Sequence, residues 1–156
     1  MTKDKYVFKK IFVGCDHAGL DAKKKVCEVL NNFDLEFEDM GTFSSISVDY
    51  PDYAVCVSKM VLKTPNSCGI LICGSGTGMQ IAANKIDNIR AVFCFDEYSS
   101  KMSRLDNNCN ILTLRAREFD INNYENIIKT FISTEFSNLK RHIVRLEKIS
   151  QIEKNN

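Results

Sequence analysis

Cys68-Gly69-Ile70-Leu71-Ile72-Cys73-Gly74-Ser75-Gly76-Thr77-Gly78-Met79-Gln80-Ile81-Ala82-Ala83-Asn84-Lys85 reads as a short buried strand, a glycine turn and the opening of a helix. The core of the strand, 70–72, is apolar at consecutive positions, as in a strand covered on both faces. Four of the chain's seven glycines fall here, at Gly69, Gly74, Gly76 and Gly78. Glycine lets the backbone turn sharply and approach a ligand with no Cβ between them. The turn points unpaired helix N-terminal amides above the strand, where an anion or oxyanion can bind. Cys73 stands at the strand end facing that space, where a helix N-terminus favours a thiolate. Met79-Gln80 after the last glycine sets aside a P-loop, which needs Lys followed by Ser or Thr. The alternation Gly74-x-Gly76-x-Gly78 lacks the spacing of a dinucleotide fingerprint, and it lies mid-chain. A tight turn beside a structural thiol has the same local pattern, so the rest of the chain must decide between scaffold and chemistry.

Outward from this stretch, apolar runs alternate with helical patterns. Strands are expected at 10–14, 35–39, 70–73, 90–95 and 110–114. Helices are expected from Asp16, a candidate cap, to about Asn32, from Pro51 through Lys63, and at about 79–85, 97–105, 122–133 and 138–154. This β-α-β-α order predicts an α/β fold, a doubly wound three-layer sandwich around a five-stranded parallel sheet. Residues 1–8 are expected to be a short flexible tail and 9–156 a single domain. The last helix carries Leu139, Ile143, Leu146 and Ile149 at helical spacing but follows an already complete sheet. It is therefore expected to pack on a neighbouring subunit.

Composition narrows the class. Of 156 residues, 44% are hydrophobic and 26% charged, as in ordinary globular proteins. A net charge of +1 gives no electrostatic case for nucleic acid or a membrane surface. No apolar run approaches the ~20 residues that span a bilayer, and the N-terminus lacks a signal-peptide core. The seven cysteines are odd in number and lack Cys-x-x-Cys spacing, so neither a disulfide framework nor a zinc site is signalled. Cys27, Cys56 and Cys94 sit among apolar residues and are expected to fill the core. Reduced thiols and no export signal point to the cytoplasm.

In an open parallel sheet, ligands bind at the carboxyl ends of the strands. Three polar segments emerge there: Cys15-Asp16-His17, Cys73 to Gly78, and Arg115-Ala116-Arg117. His142, the other of the two histidines, lies in the basic run Lys140-Arg141-His142-Ile143-Val144-Arg145, which reads as a solvated face. Arg141 and Arg145, four apart on that helix, share a face and are spaced to clamp a phosphate together.

The strings Gly-Cys-Asp-His-Ala-Gly (14–19), Asp-Tyr-Pro (49–51), Cys-Gly-Ser-Gly-Thr-Gly (73–78), Ile-Ala-Ala-Asn-Lys (81–85), Ile-Arg-Ala-Val (89–92) and Arg-x-x-x-Arg (141–145), in that order, resemble the type B ribose-5-phosphate isomerases. That family includes allose- and galactose-6-phosphate isomerases, and the resemblance covers about residues 9–150. It implies a Rossmann-like homodimer, with a tetramer as the larger alternative. Its sites lie at the subunit interface and interconvert an aldose phosphate and its ketose without metal or cofactor. By that resemblance, Cys73 is the base between sugar carbons C1 and C2. Gly74, Ser75, Gly76, Thr77 and Gly78 surround the enediolate oxygen, with Ser75 moving protons between O1 and O2. Asp16, His17 and Tyr50 contact the sugar, while Asn107, Arg117, Arg141 and Arg145 hold hydroxyls and phosphate, some of them across the dimer.

The chemistry agrees independently. Removing a proton beside a carbonyl needs a base, preorganised donors at the oxyanion and an anchor for the anion. A thiol near pKa ~8.5 is mostly protonated at neutrality, so the helix terminus is expected to favour its ionised form. One departure stands out. The family's Ser-Arg-x-His-Asn segment carries a histidine that opens the furanose ring, and here Ser103-Arg104-Leu105-Asp106-Asn107 has Asp106 instead. Three routes stay open for that step: a protonated Asp106 doing the histidine's work, slow use of the small open-chain fraction, or His17, or a water it positions, taking over, which is the favoured one. Five- and six-carbon substrates both remain open, as does a non-catalytic sugar-phosphate-binding homologue.

Overall fold

The computed structural model describes residues 6–155. Five strands are present: β1 (Lys10–Cys15), β2 (Glu36–Asp39), β3 (Ser67–Cys73), β4 (Ala91–Phe93) and β5 (Ile111–Arg115). Six α-helices accompany them: α1 (Leu20–Asn32), α2 (Tyr50–Lys63), α3 (Thr77–Ala83), α4 (Glu97–Asn107), α5 (Tyr124–Ser133) and α6 (Lys140–Lys154). Every strand pair is parallel, in the order β2-β1-β3-β5-β4. The expected five-stranded parallel α/β sandwich is therefore the observed one. Its last two strands are exchanged relative to chain order: β5 pairs directly with β3, and β4 lies at the edge.

Alternation along each strand builds two cores. Val13, Ile70, Ile72, Leu112 and Leu114 pack with Val26 and Leu30 of α1 and Ile128, Phe131 and Ile132 of α5. On the opposite face, Phe12, Leu71 and Ile111 pack with Ala54, Val57 and Val61 of α2 and Met79 and Ala83 of α3. All seven residues of β3 are buried. Each buried aliphatic side chain contributes about 1.5–3 kcal/mol, so β3 is the most firmly held platform the sheet offers. The residues that follow it inherit that rigidity.

Three expectations need correction. Of the tail expected over 1–8, residues 1–5 lie outside the described residues, whereas Tyr6, Val7 and Phe8 belong to the packed domain. Val7 N–H donates to the Ile132 carbonyl at 2.8 Å. Phe8 is buried, its ring 6.0 Å from that of Phe131 and 4.7 Å from the Arg104 guanidinium. Of the three cysteines expected to fill the core, only Cys94 is fully buried; Cys27 is half-buried and Cys56 exposed. Cys27 stands one position after the core residue Val26 and Cys56 one position before Val57, and the helical turn of about 100° per residue carries each off that face. His142, read as part of a solvated run, is 3% exposed.

On α6, Leu139, Ile143, Ile149 and Ile152 are exposed and Leu146 is half-buried. Among the described residues, no helix is long and apolar enough to cross a membrane, and no three His, Cys, Asp or Glu side chains gather as a metal ion would require.

Candidate active site

The carboxyl ends of the adjacent strands β1, β3 and β5 open into a cleft of about 630 Å³ whose lining includes Asp16, His17, Tyr50, Cys73, Arg115 and Arg117. A second groove of about 400 Å³ along α6 is lined by Phe136, Ile143, Leu146 and neighbours and contains no cysteine, histidine or arginine. The cysteine, histidine and arginine side chains thus gather in the first.

Cys73 ends β3, 3% exposed, and its Sγ accepts a hydrogen bond from Gly76 N–H at 3.1 Å. The turn that makes this contact is tightly specified. Gly76 has φ +79°, in the left-handed region, and a Cβ there would lie 2.7 Å from the Phe93 ring. Ala116 N–H donates to the Cys73 carbonyl at 3.0 Å and Arg117 N–H to the Gly74 carbonyl at 3.1 Å, pinning the turn to the end of β5. One part of the expected oxyanion nest is thus used otherwise, since the Gly76 amide serves the sulfur. Ser75 and Thr77 are exposed on the turn, their hydroxyls 2.8 Å apart.

The other buried thiols differ. Burial pushes Cys68 and Cys94 up to about 12, and Cys15 and Cys109 up to about 11, so these sulfurs keep their protons at neutral pH. None of the four lines the cleft.

Asp16 and His17 follow β1 directly. Asp16 is buried and caps the short 3₁₀ turn His17–Gly19, its Oδ1 accepting from Ala18 N–H and Gly19 N–H, each at 3.0 Å. This fixes the backbone that presents His17. The His17 Nδ1 accepts from Val48 N–H at 3.3 Å, so the neutral ring carries its proton on Nε2. Tyr50 opens α2 with its ring against Gly78, where a Cβ would come within 2.8 Å of the phenol carbon. Arg117 lies over Gly74, its guanidinium 3.3 Å from where a Cβ would stand.

Two residues to which the sequence assigns no role belong here. Arg115 pairs in register with Cys73 and lines the cleft, and its buried Nε has no hydrogen-bond partner among the described residues. Its place in Arg115-Ala116-Arg117 at a strand end was the available signal. Lys23, within a lysine run that suggests solvent, is buried. It donates to Asp39 at 2.6 Å and to the Thr42 carbonyl at 2.7 Å, bracing the loop behind His17. No pattern in the sequence marked it.

Asp106, Asn107, Arg141 and Arg145 do not line the cleft. The helix α4 starts after β4 and runs back for 11 residues, about 16 Å, so Asp106 and Asn107 reach the amino-terminal edge of the sheet. There Asp106 Oδ1 lies 3.5 Å from His142 Nδ1, which is also 2.8 Å from Ser137 Oγ. Arg141 Nε–H donates to His142 Nε2 at 3.1 Å. The side chains of Arg141, Arg145 and Asn107 face outward. Arg104 ties this corner together, donating to the Thr134 carbonyl, to Asn108 Oδ1 and to the Cys109 carbonyl. One chain thus places a thiol with its glycine turn at one edge of the sheet and the exposed Arg141 and Arg145 at the other.

Comparison with known proteins identifies the family. The family model described as Ribose/Galactose Isomerase matches residues 11–149. Ribose-5-phosphate isomerase B of Escherichia coli (strain K12) is 39% identical over 145 residues, covering 93% of this chain and 97% of that protein. The ribose-5-phosphate isomerase B structure from Clostridium thermocellum superposes with a TM-score of 0.90 at 40% identity, covering 94% of this chain and 98% of that one. The type B enzyme of Trypanosoma brucei gives 0.89 at 39% identity, covering 93% and 99%. The chain belongs to the ribose/galactose isomerase family.

Proposed function

We propose that the protein interconverts ribose 5-phosphate and ribulose 5-phosphate through an enediolate. The observation that carries this reading is the Cys73 Sγ, held by Gly76 N–H at 3.1 Å on the floor of a polar cleft. Cys73 takes the proton from C2 of the open-chain aldose. Charge develops on O1, which the remaining amides of the glycine turn stabilise as preorganised donors. The Ser75 hydroxyl moves a proton between O1 and O2, and return of the carbon proton to C1 yields the ketose. Asp16, His17 and Tyr50 hold the sugar against the turn, and Arg117 meets its anionic side.

The active unit is a homodimer. Arg141 and Arg145 stand at the wrong edge to reach their own Cys73, so a second copy supplies them, with Asn107, to the phosphate and hydroxyls. The exposed apolar positions of α6 supply the surface for that contact. All seven thiols are free, which fits the reducing cytoplasm. Incubating the purified protein with ribose 5-phosphate should give ketose at a rate proportional to enzyme. Absence of turnover with five- and six-carbon aldose phosphates alike would overturn the reading.

A further inference from the structure

An aspartate where a ring-opening acid is expected creates a chemical problem, because an ordinary carboxylate at neutral pH has no proton to give. The structure gives Asp106 a particular setting. Its side chain is 39% exposed, while His142 behind it is almost wholly buried, with Nδ1 3.5 Å from Asp106 Oδ1. Arg141 Nε–H donates to Nε2 of the same ring. A nitrogen that accepts cannot also carry the proton, so the neutral imidazole is protonated on Nδ1. That N–H donates to Ser137 Oγ, 2.8 Å away, and Asp106 Oδ1 lies beside the same nitrogen at 3.5 Å. The groups facing the ring are thus Asp106 from α4, Arg141 from α6 itself and Ser137 from the segment between α5 and α6. The buried ring thus links Arg141 on one side with Ser137 and the Asp106 carboxylate on the other, which fixes where that carboxylate sits.

We propose that His142 is a positioning residue that holds Asp106 as a carboxylate proton shuttle for opening the furanose ring in the site of the second copy, with Arg141 fixing the tautomer. This rests on the isomerase reading and on the two edges of the sheet meeting across a dimer. The Asp106 carboxylate removes the proton from the anomeric O1. The O1 electron pair forms the C1 carbonyl as the bond from C1 to the ring oxygen O4 breaks. The departing O4 alkoxide takes the same proton from the Asp106 carboxyl. One proton has moved from O1 to O4, Asp106 is again a carboxylate, and no external acid is consumed. O1 and O4 share one carbon, so a single carboxyl group reaches both. A histidine at position 106 would begin by giving a proton, whereas aspartate begins by taking one.

Two measurements separate ring opening from isomerisation. Net conversion of ribose 5-phosphate, which is mostly cyclic, requires both. Wash-in of solvent deuterium at C1 of ribulose 5-phosphate requires only the carbon proton transfer, because a ketose phosphorylated on O5 cannot form a five-membered ring. For Asp106→Asn and His142→Ala, conversion of ribose 5-phosphate should fall about tenfold or more, within the range for lost acid–base assistance. Wash-in at saturating ribulose 5-phosphate should stay within about threefold of the unaltered protein. His142→Asn, which retains an N–H near the position of Nδ1, should recover part of the loss, and the double variant Asp106→Asn/His142→Ala should be no worse than either single one.

Equal losses in both measurements would assign His142 a structural or phosphate-anchoring role and overturn the proposal. Unchanged conversion in either variant would overturn it too. Asp106 is partly exposed, so its variant retains the fold and keeps the test decisive even where His142→Ala is unstable. If the unaltered protein shows neither conversion nor wash-in, the isomerase reading itself has failed, which is a different result.

Discussion

The two ends of β3 carry the same residue in opposite conditions. At the amino end, Cys68 is 0% exposed, meets no polar turn and keeps its proton, burial having pushed it up to about 12. At the carboxyl end, Cys73 is nearly as buried, yet it receives a backbone N–H and borders a cleft that also holds His17, Arg115 and Arg117. Burial alone makes a thiol inert. What converts a buried thiol into a candidate base is the turn that follows it, which supplies a donor and an opening on one side only. A second contrast runs across the sheet: the carboxyl edge carries the candidate base with Arg115 and Arg117, and the amino edge carries the outward-facing Arg141 and Arg145.

The sharpest test of the contrast exchanges the two thiols for alanine. Cys73→Ala should lower ribose 5-phosphate turnover by about 10²–10⁴-fold, the span for loss of a general base. Cys73→Ser should be almost as poor, since a hydroxyl is far harder to ionise. Cys68→Ala should retain most activity. Comparable rates for Cys73→Ala and Cys68→Ala would erase the distinction between the strand ends.

A second test asks whether the two edges meet across subunits. Arg141→Ala or Arg145→Ala should each raise KM more than it lowers kcat, because a guanidinium–phosphate contact is worth about 1.5–3 kcal/mol. If the edges meet in a two-fold dimer, random mixing of Cys73→Ala and Arg141→Ala subunits makes half the dimers heterodimers, each with one intact site. At ribose 5-phosphate well below the unaltered KM, where both parents are slow, activity should then recover to about a quarter of the unaltered level. A mixture as slow there as its parents would place both residues in one subunit's site.

How far the sequence reveals this follows from what each pattern encodes. The continuous apolar run 70–72 and the glycines after it specify a central strand and a tight turn, so Cys73 and its neighbours were legible. Asp16 was legible as a cap, since an aspartate before a helical pattern satisfies exposed amides. The pairing of β5 with β3 was not, because side-chain periodicity reports which faces are buried but not which strands are neighbours. His142 was misread because its burial depends on Asp106 and Ser137, which belong to other segments, while the adjacent arginines and lysine suggest solvent. Phe8 and Lys23 were missed for the same reason, their partners being Phe131 and Arg104 in one case and Asp39 and the Thr42 carbonyl in the other.

A third test perturbs the turn without touching sulfur. Gly76→Ala places a Cβ in the left-handed region, which costs about 1–2 kcal/mol. It also presses on the Phe93 ring, from which that Cβ would stand 2.7 Å. Thermal unfolding should shift down by several degrees. Turnover should fall further than stability predicts, because the N–H that bonds Cys73 moves with the turn. Lost stability with full turnover would show that the Gly76–Cys73 contact is incidental.

The smallest effect concerns the inert end and appears only in alkali. In the folded protein Cys68 keeps its proton up to about 12, against an ordinary value of 9.0 that it regains on unfolding. Below pH 9 both states hold the proton and Cys68 adds no pH dependence. Between pH 9 and about 12 the unfolded chain binds fewer protons than the folded one, so the free energy of unfolding falls as pH rises, by roughly 1 kcal/mol per unit from this thiol. Cys15, Cys94 and Cys109 add slopes of the same sign, so the protein as a whole loses stability steeply above pH 9. Cys68→Ala removes one of these contributions. Denaturant titrations should therefore show a constant gap between variant and unaltered protein from pH 7 to 8.5, then a shift in the variant's favour above pH 9. Curves that stay parallel to pH 11 would mean that the sulfur at the closed end of β3 is not shielded, and the contrast with Cys73 would then rest on the Gly76 contact alone.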